Sequence, residues 1–353
     1  MMATVDEDDI GTASGRNEGD WVPNRFCLRN AWFPLAHTFE IGERASRWQI
    51  YSQPCYLWRA RGRIHASRRH PDLPAAPAAP AMPAMPAAPD SPFEPPERYP
   101  VVERFGYAWI WYGDPEHASD ALVPDVPFLP REGGLPERMQ GNIRLDCCTP
   151  LLVENLLDLT HADYLHANLL GDEQSEEDHV DVRFTSETVT MIRQCTNKSI
   201  APIMRWFGGV RAKYQDVHVV IHVHVRSSVA VAYGRYMPGI DLPIFHPCVP
   251  ESRDRCRLSF ALNMTRTPWL LRALMPLTPY IVLPQDNRMI GPQSTRYRDA
   301  GERRDLYSRF DRAGLRYRLL LQQLARRQRD GDFSYAPDAL PGQDARGILG
   351  MPD

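Results

Sequence analysis

Between Val153 and His166 the chain reads Val-Glu-Asn-Leu-Leu-Asp-Leu-Thr-His-Ala-Asp-Tyr-Leu-His, which sets Asn155, Asp158, His161 and His166 in the spacing N-x2-D-x2-H-x4-H. Two neutral imidazoles and one carboxylate, leaving coordination positions open, are what a mononuclear Fe(II) needs in order to bind O2 with a substrate alongside. Asp158 and His161 are three residues apart and share a face of a continuous helix, so the carboxylate is placed to orient the imidazole from behind. His161 and His166 are five apart and point in different directions on an ideal helix. Their convergence on one metal therefore requires a helix end or a distorted turn between them. The plain alternative is a pair of packed, hydrogen-bonded core histidines; four matched positions together favour the metal.

A second set of histidines lies in Val217–Val225, where odd positions are Val, Val, Ile, Val and Val and the even ones include His218, His222 and His224. That alternation predicts a strand with one core face and one polar face. His222 and His224 are candidates for lining a substrate cavity, with a solvent-facing stripe as the plainer reading. Seven cysteines, an odd number with no C-x-x-C pair, suggest neither a disulfide framework nor a zinc site. Cys147-Cys148 reads as two buried small hydrophobes.

The elements that must position these residues come from the rest of the 353-residue chain. Residues 1–24 are acidic, turn-rich and without apolar periodicity, and read as a disordered tail. Short runs from Phe26 to His65, separated by Gly- and Arg-containing turns, predict a small antiparallel β domain. Proline is the compositional outlier at 33 residues, eleven of them between Pro71 and Pro100. Residues 73–98 lack N–H donors at nearly every third position and read as an exposed polyproline-type linker. Strand language resumes at Tyr99–Gly113, so the linker interrupts the β domain of residues 25–118. Residues 119–335 form a second, catalytic unit, with apolar helical spacing at Leu151–Asn168 and strands around Val180–Arg193. It ends on an amphipathic helix through Leu306, Phe310, Ala313, Tyr317, Leu320 and Leu324, with Gly331 as a stop. Residues 336–353 are left as a C-terminal tail.

A net charge of −3 offers no field for nucleic acid, and no nucleic-acid motif is present. The acidic N-terminus lacks the apolar core of a secretory signal. The most apolar segment, Trp269–Pro284, is too short and too interrupted by Pro276, Pro279 and Pro284 to span a bilayer. A cytoplasmic protein with reduced thiols is expected.

The Asn155–His166 segment resembles the mononuclear-iron motif of Rieske-type non-heme iron oxygenases, the catalytic α subunits of ring hydroxylases, demethylases and arylamine oxygenases. Leu28–His37 and Phe39–Gly42 resemble the family's N-terminal strand, and Tyr99–Pro115 its next conserved block, so the resemblance covers residues 28–300 with a gap. It implies that His161 and His166 are iron ligands and that Asp158, beside Asn155, bridges to the electron-donating cluster of a neighbouring subunit. It implies Asp286 as third ligand, in Pro-Gln-Asp-Asn-Arg-Met-Ile-Gly-Pro-Gln, with Gln293 seven positions on in the substrate pocket. The implied fold is α+β: a truncated, Rieske-like antiparallel β domain, then a helix-grip-like domain with an antiparallel sheet and a long C-terminal helix over the iron.

The resemblance fails at the family's [2Fe–2S] ligands, a C-x-H and a later C-x2-H. His70-Pro71-Asp72 stands where Cys-Pro-His is expected, the second pair is replaced by the Pro/Ala segment, and no cysteine of the chain has a C-x-H or C-x2-H setting. His70 and Asp72 alone, beside a flexible linker, make no preorganised metal site. The expectation is an Fe(II) oxygenase without its own cluster, acting on a small aromatic or hydrophobic molecule and O2 by hydroxylation, demethylation or N-oxygenation. Its electrons would come from a separate Rieske- or ferredoxin-type donor or a Rieske-bearing paralogue, and it would assemble as a homotrimer or hetero-oligomer. The alternatives are a non-catalytic or regulatory subunit of such an assembly, and an Fe(II) oxygenase that draws all its electrons from substrate.

Overall fold

The computed structural model describes residues 3–4, 21–72, 93–167, 178–299, 305, 307–308, 310–336 and 344–352. Fourteen strands are described: β1 (Ala3–Thr4), β2 (Ala31–His37), β3 (Ser46–Ile50), β4 (Gln53–Ala60), β5 (Arg63–Ser67), β6 (Val101–Arg104), β7 (Tyr107–Tyr112), β8 (Gln140–Leu145), β9 (His179–Phe184), β10 (Thr188–Ser199), β11 (Tyr214–His224), β12 (Val229–Met237), β13 (Asp241–Pro250) and β14 (Cys256–Leu262). The helices are α1 (Thr149–Leu157), α2 (Ala162–Leu165), α3 (Pro202–Phe207), α4 (Trp269–Leu274), α5 (Pro279–Asp299), α6 (Arg312–Arg329) and α7 (Ala345–Ile348), with short 3-10 turns between.

The strands form two three-stranded sheets, β2-β7-β6 and β3-β4-β5, and one eight-stranded sheet in the order β1-β9-β10-β11-β12-β13-β14-β8. Every pairing in the large sheet is antiparallel. The alternation read in residues 217–225 decides which way each side chain faces. Ile221, Val223 and Val225 join Val189, Met191, Leu258 and the buried side of α1, α5 and α6 in one core. Val220, Val231 and Phe245 of the opposite face join Trp32, Trp109 and Trp111 of the small β domain in another. The large sheet is thus covered by helices on one face and by the β domain on the other. The β domain keeps a separate core around Phe33, Ile50, Cys55, Leu57 and Ile110.

The α+β architecture, the antiparallel sheet and the long C-terminal helix are those expected from the sequence; α6 buries Ala313, Tyr317, Leu320 and Leu324 as its apolar stripe requires, but it starts at Arg312, so Phe310 precedes it, and Leu306 lies outside the described residues. Other expectations need correction. Within the segment read as an acidic tail, Ala3 and Thr4 pair with Arg183 and Phe184 at the edge of β9, and Trp21 is buried; residues 5–20 lie outside the described set. Most of the Pro/Ala segment, residues 73–92, also lies outside it. Its end is docked: Phe93 packs on the β-domain core, Glu94 pairs with Arg68 at 2.6 Å, and Arg98 bridges Ser67. The C-terminal segment is likewise anchored, with Leu349 buried against the tryptophan core. Of the prolines that interrupt the apolar segment, Pro276 follows the end of α4 and Pro279 opens α5, whereas Pro284 does not end a helix: α5 runs 21 residues with Pro284 and Pro292 inside it. Each proline removes one N–H and leaves the carbonyl four residues earlier without its helical partner. Among the described residues no helix is long and apolar enough to cross a membrane.

Candidate metal centre

The geometry begins with how α1 stops. Its last residue is Leu157, and Asp158 caps it in an extended conformation (φ −102°, ψ 92°). The Asp158 carboxylate accepts hydrogen bonds from the Thr160 N–H at 2.9 Å and the Thr160 hydroxyl at 2.5 Å, a local turn that competes with continuing the helix. The chain then restarts in the single turn of α2, between His161 and His166. This interruption cancels the angular divergence of a five-residue spacing. The two imidazole centroids stand 5.4 Å apart at 80°.

The third group comes from α5. Its middle is pinned against the entry to α1, where Asn287 Oδ1 accepts from the Asp146 N–H at 2.8 Å and Ser294 Oγ from the Cys148 N–H at 3.2 Å. Asp286, 3% exposed, is thereby held under both imidazoles, with His166 Nε2 at 3.0 Å and His161 Nε2 at 3.4 Å from the same Oδ1. One donor atom from each of His161, His166 and Asp286 lies within 4.8 Å of the others, the only such group of His, Cys, Asp and Glu among the described residues.

The far nitrogens test whether a metal fits. His161 Nδ1 donates to the Asp158 main-chain oxygen, and His166 Nδ1 bonds Gln285 Oε1 at 2.7 Å. With Nδ1 carrying the proton, each neutral ring presents the lone pair of Nε2 toward Asp286, an arrangement that is repulsive until a cation or proton sits between. Burial disfavours a charged His161, but the hydrogen bond and charge of Asp286, with Asp158, outweigh it and raise the pKa. For Asp286 burial works toward protonation and the bonds to His161 and His166 outweigh it, holding the carboxyl below its usual range. Positive charge is thus favoured at the convergence point, and the donor set of two imidazoles and a carboxylate suits a 2-His-1-carboxylate iron site. The orienting group behind His161 is the carbonyl of Asp158, not its carboxylate, which Thr160 occupies; Oδ2 is 4.0 Å from Nδ1.

The other sequence-derived site residues divide. Asn155, Asp158 and Gln293 line one cavity of about 500 Å³ between α1, α5 and α6, together with Glu154, Tyr297 and Arg318. His161, His166 and Asp286 do not line it. His222 and His224 are not in a pocket beneath the helices. His222 pairs across from Thr190 and Val231 and so faces the tryptophan core, where its Nδ1 meets Thr190 Oγ1 at 2.7 Å. The solvent-facing alternative also fails for His222, which is 5% exposed. Strand register, invisible in the sequence, decided the face.

Sequence reasoning missed His246. It lies across from Ala230 on β13, on the helix-side face, and its Nδ1 is sealed from solvent with no hydrogen-bond partner. Burial pushes its pKa down to about 4, with the Ser259 carbonyl and the charge of Asp286 acting in opposition. A neutral imidazole with an unused polar atom near Asp286 is a ready hydrogen-bonding partner for a ligand. Only its place in the alternation Ile244, His246, Cys248 hinted at an inward direction.

Comparison with known proteins places this arrangement in a class. Among solved structures, dicamba monooxygenase bound to dicamba superposes with a TM-score of 0.68 at 20% identity, covering 86% of this chain and 99% of that one. The terminal oxygenase of carbazole 1,9a-dioxygenase from Novosphingobium sp. KA1 superposes with a TM-score of 0.56 at 16% identity, covering 89% and 98%. The fold is therefore the one that these oxygenases share. Residues 145–327 match the family model for the vanillate O-demethylase oxygenase C-terminal domain, and the chain belongs to that family. The vanillate O-demethylase oxygenase subunit of Pseudomonas sp. (strain HR199 / DSM 7063) is 35% identical over 112 residues, 30% of each protein. The dicamba O-demethylase oxygenase component of Stenotrophomonas maltophilia is 44% identical over 68 residues, 19% of this chain and 20% of the relative. These alignments span less than a third of either curated relative.

Proposed function

We propose that the protein is a mononuclear non-heme Fe(II) oxygenase that demethylates or hydroxylates a small aromatic molecule and draws its electrons from a separate donor protein. The observation that carries this reading is the convergence of His161 Nε2, His166 Nε2 and Asp286 Oδ1, with both Nδ1 atoms already committed to oxygen acceptors. Fe(II) held by these three groups, with open positions remaining, supplies O2 chemistry next to a bound substrate.

The chain's own residues do the rest. The Asp158 carbonyl and Gln285 fix the tautomers and planes of the two imidazoles, and Asp286 contributes the single negative charge. His246, neutral and with Nδ1 unpartnered, holds a polar substituent of the substrate through one hydrogen bond. Leu151, Leu152, Val153, Leu283 and Ile290 of α1 and α5 keep the surrounding core dry, which strengthens each polar contact made inside it. O-demethylation is the favoured reaction because the vanillate and dicamba relatives are named for it. Its balance is an aryl methyl ether, O2, two electrons and two protons giving a phenol, formaldehyde and water. This chain has no C-x-H and C-x2-H pairs to hold a [2Fe–2S] centre of its own, so both electrons are assigned to the donor.

The test is anaerobic loading of reduced protein with Fe(II), followed by a visible spectrum and turnover with and without a Rieske- or ferredoxin-type donor and reductase. One iron per chain, no thiolate-to-iron absorption and formaldehyde only with the donor are expected. Failure to take up iron overturns the reading, and product from Fe(II), O2 and substrate alone overturns the electron source.

A further inference from the structure

The segment that carries His161 and His166 has little packing of its own. α2 is one turn long, too short to persist by backbone hydrogen bonding, and of residues 161–167 only Asp163 and His166 are buried, while Tyr164 is 67% exposed. Something else must hold it. Arg193 on β10, 4% exposed, sits against it. Arg193 Nη1 donates to the Leu159 carbonyl at 2.8 Å, Nη2 to Asp163 Oδ2 at 2.5 Å, and Nε to both oxygens of Asp178 at 3.0 Å. Leu159 follows the residue that orients His161, Asp163 stands between the two histidines, and Asp178 opens the chain into β9. The second Asp163 oxygen accepts from Lys198 Nζ.

Arg193 and Lys198 are five residues apart and would face opposite sides of a regular strand. The register of β10 against β11 shifts between Cys195 and Lys198, where Asn197 takes φ +53°, and this irregularity brings both cations to the same carboxylate. The result is an electrically balanced tetrad of two cations and two carboxylates, each with a side chain no more than 8% exposed. Buried ion clusters are seldom worth more to stability than apolar packing, so their geometry is the more informative property.

Resting on the metal-centre reading above, we infer that Arg193 is the positioning residue of that centre: its fork fastens the ligand segment to the sheet at Leu159 and Asp163 and so sets where the two imidazoles meet Asp286. It touches neither substrate nor metal. The planar fork matters as well as the charge, because lysine cannot reach Leu159, Asp163 and Asp178 at once.

Arg193→Lys, Arg193→Met and Asp163→Asn, with His161→Ala in parallel, test this. For each, Fe(II) and Co(II) affinity is measured by chelator competition, the absorption of the Co(II) form is recorded, and far-UV circular dichroism and melting are measured without metal. The expected result is a 10- to 100-fold loss of metal affinity in the three clamp variants, with a shifted Co(II) spectrum and retained secondary structure. Wild-type affinity and spectrum in Arg193→Lys and Asp163→Asn overturn the clamp, and these mild variants decide the matter if Arg193→Met fails to fold. If Arg193→Lys or Asp163→Asn loses secondary structure without metal, Arg193 is a folding element and the clamp also falls. His161→Ala with undiminished metal binding overturns the metal centre itself; its loss of metal beside intact clamp variants overturns the clamp alone.

Discussion

Three side chains make separable predictions about the centre and its surroundings. Asp286→Ala removes the one charged donor beneath both imidazoles, and iron content after anaerobic loading should fall from one per chain toward zero with circular dichroism unchanged. His246→Leu should keep its iron and raise KM about fivefold, the equivalent of one hydrogen bond of about 1 kcal/mol. His222 reports on pH. Burial pushes its pKa down to about 4, so the folded chain resists the proton that the unfolded chain takes up near 6.5. Its stabilising effect is complete above pH 6.5 and drains away between 6.5 and 4, a slope worth on the order of 3 kcal/mol in total. Melting temperature should drop over that window, and less in His222→Gln.

Among the elements, the stop between α1 and α2 is decisive, because a helix continued through Asp158 would turn His161 away from Asp286. Asparagine forms the same side-chain-to-backbone turn as aspartate. Asp158→Asn should therefore keep metal affinity near wild type while Asp158→Ala loses at least tenfold, measured by chelator competition. The need for such a stop was legible in the sequence, since a five-residue spacing cannot converge on an unbroken helix. The histidine pair was legible because it is contiguous, and Asp286 through a resemblance of motif. His246 and Arg193 were not, because each is an isolated polar residue in a strand and its meaning depends on register and on a bulge. The prolines of α5 misled in the other direction: local propensity argued for a break, and packing against α1 and β8 kept the helix whole.

For the molecule as a whole, the large sheet is a shared wall. Val220, Val231, Tyr233, Phe245 and Ala261 of its outer face are all under 8% exposed, and what covers them is Trp32, Tyr107, Trp109 and Trp111. Fully burying one such side chain is worth about 1.5–3 kcal/mol, so several together exceed a typical domain's stability margin. A chain beginning at residue 119 should consequently be recovered as aggregate or bind a hydrophobic dye, whereas the intact chain should not.

Trp32, Trp109 and Trp111 belong to β2 and β7, so the cover of the wall is part of the strand framework and not of the loops that join it. Sequence change confined to the loops between these strands therefore leaves the wall covered, whereas a change at any one of the three tryptophans uncovers two domains at once.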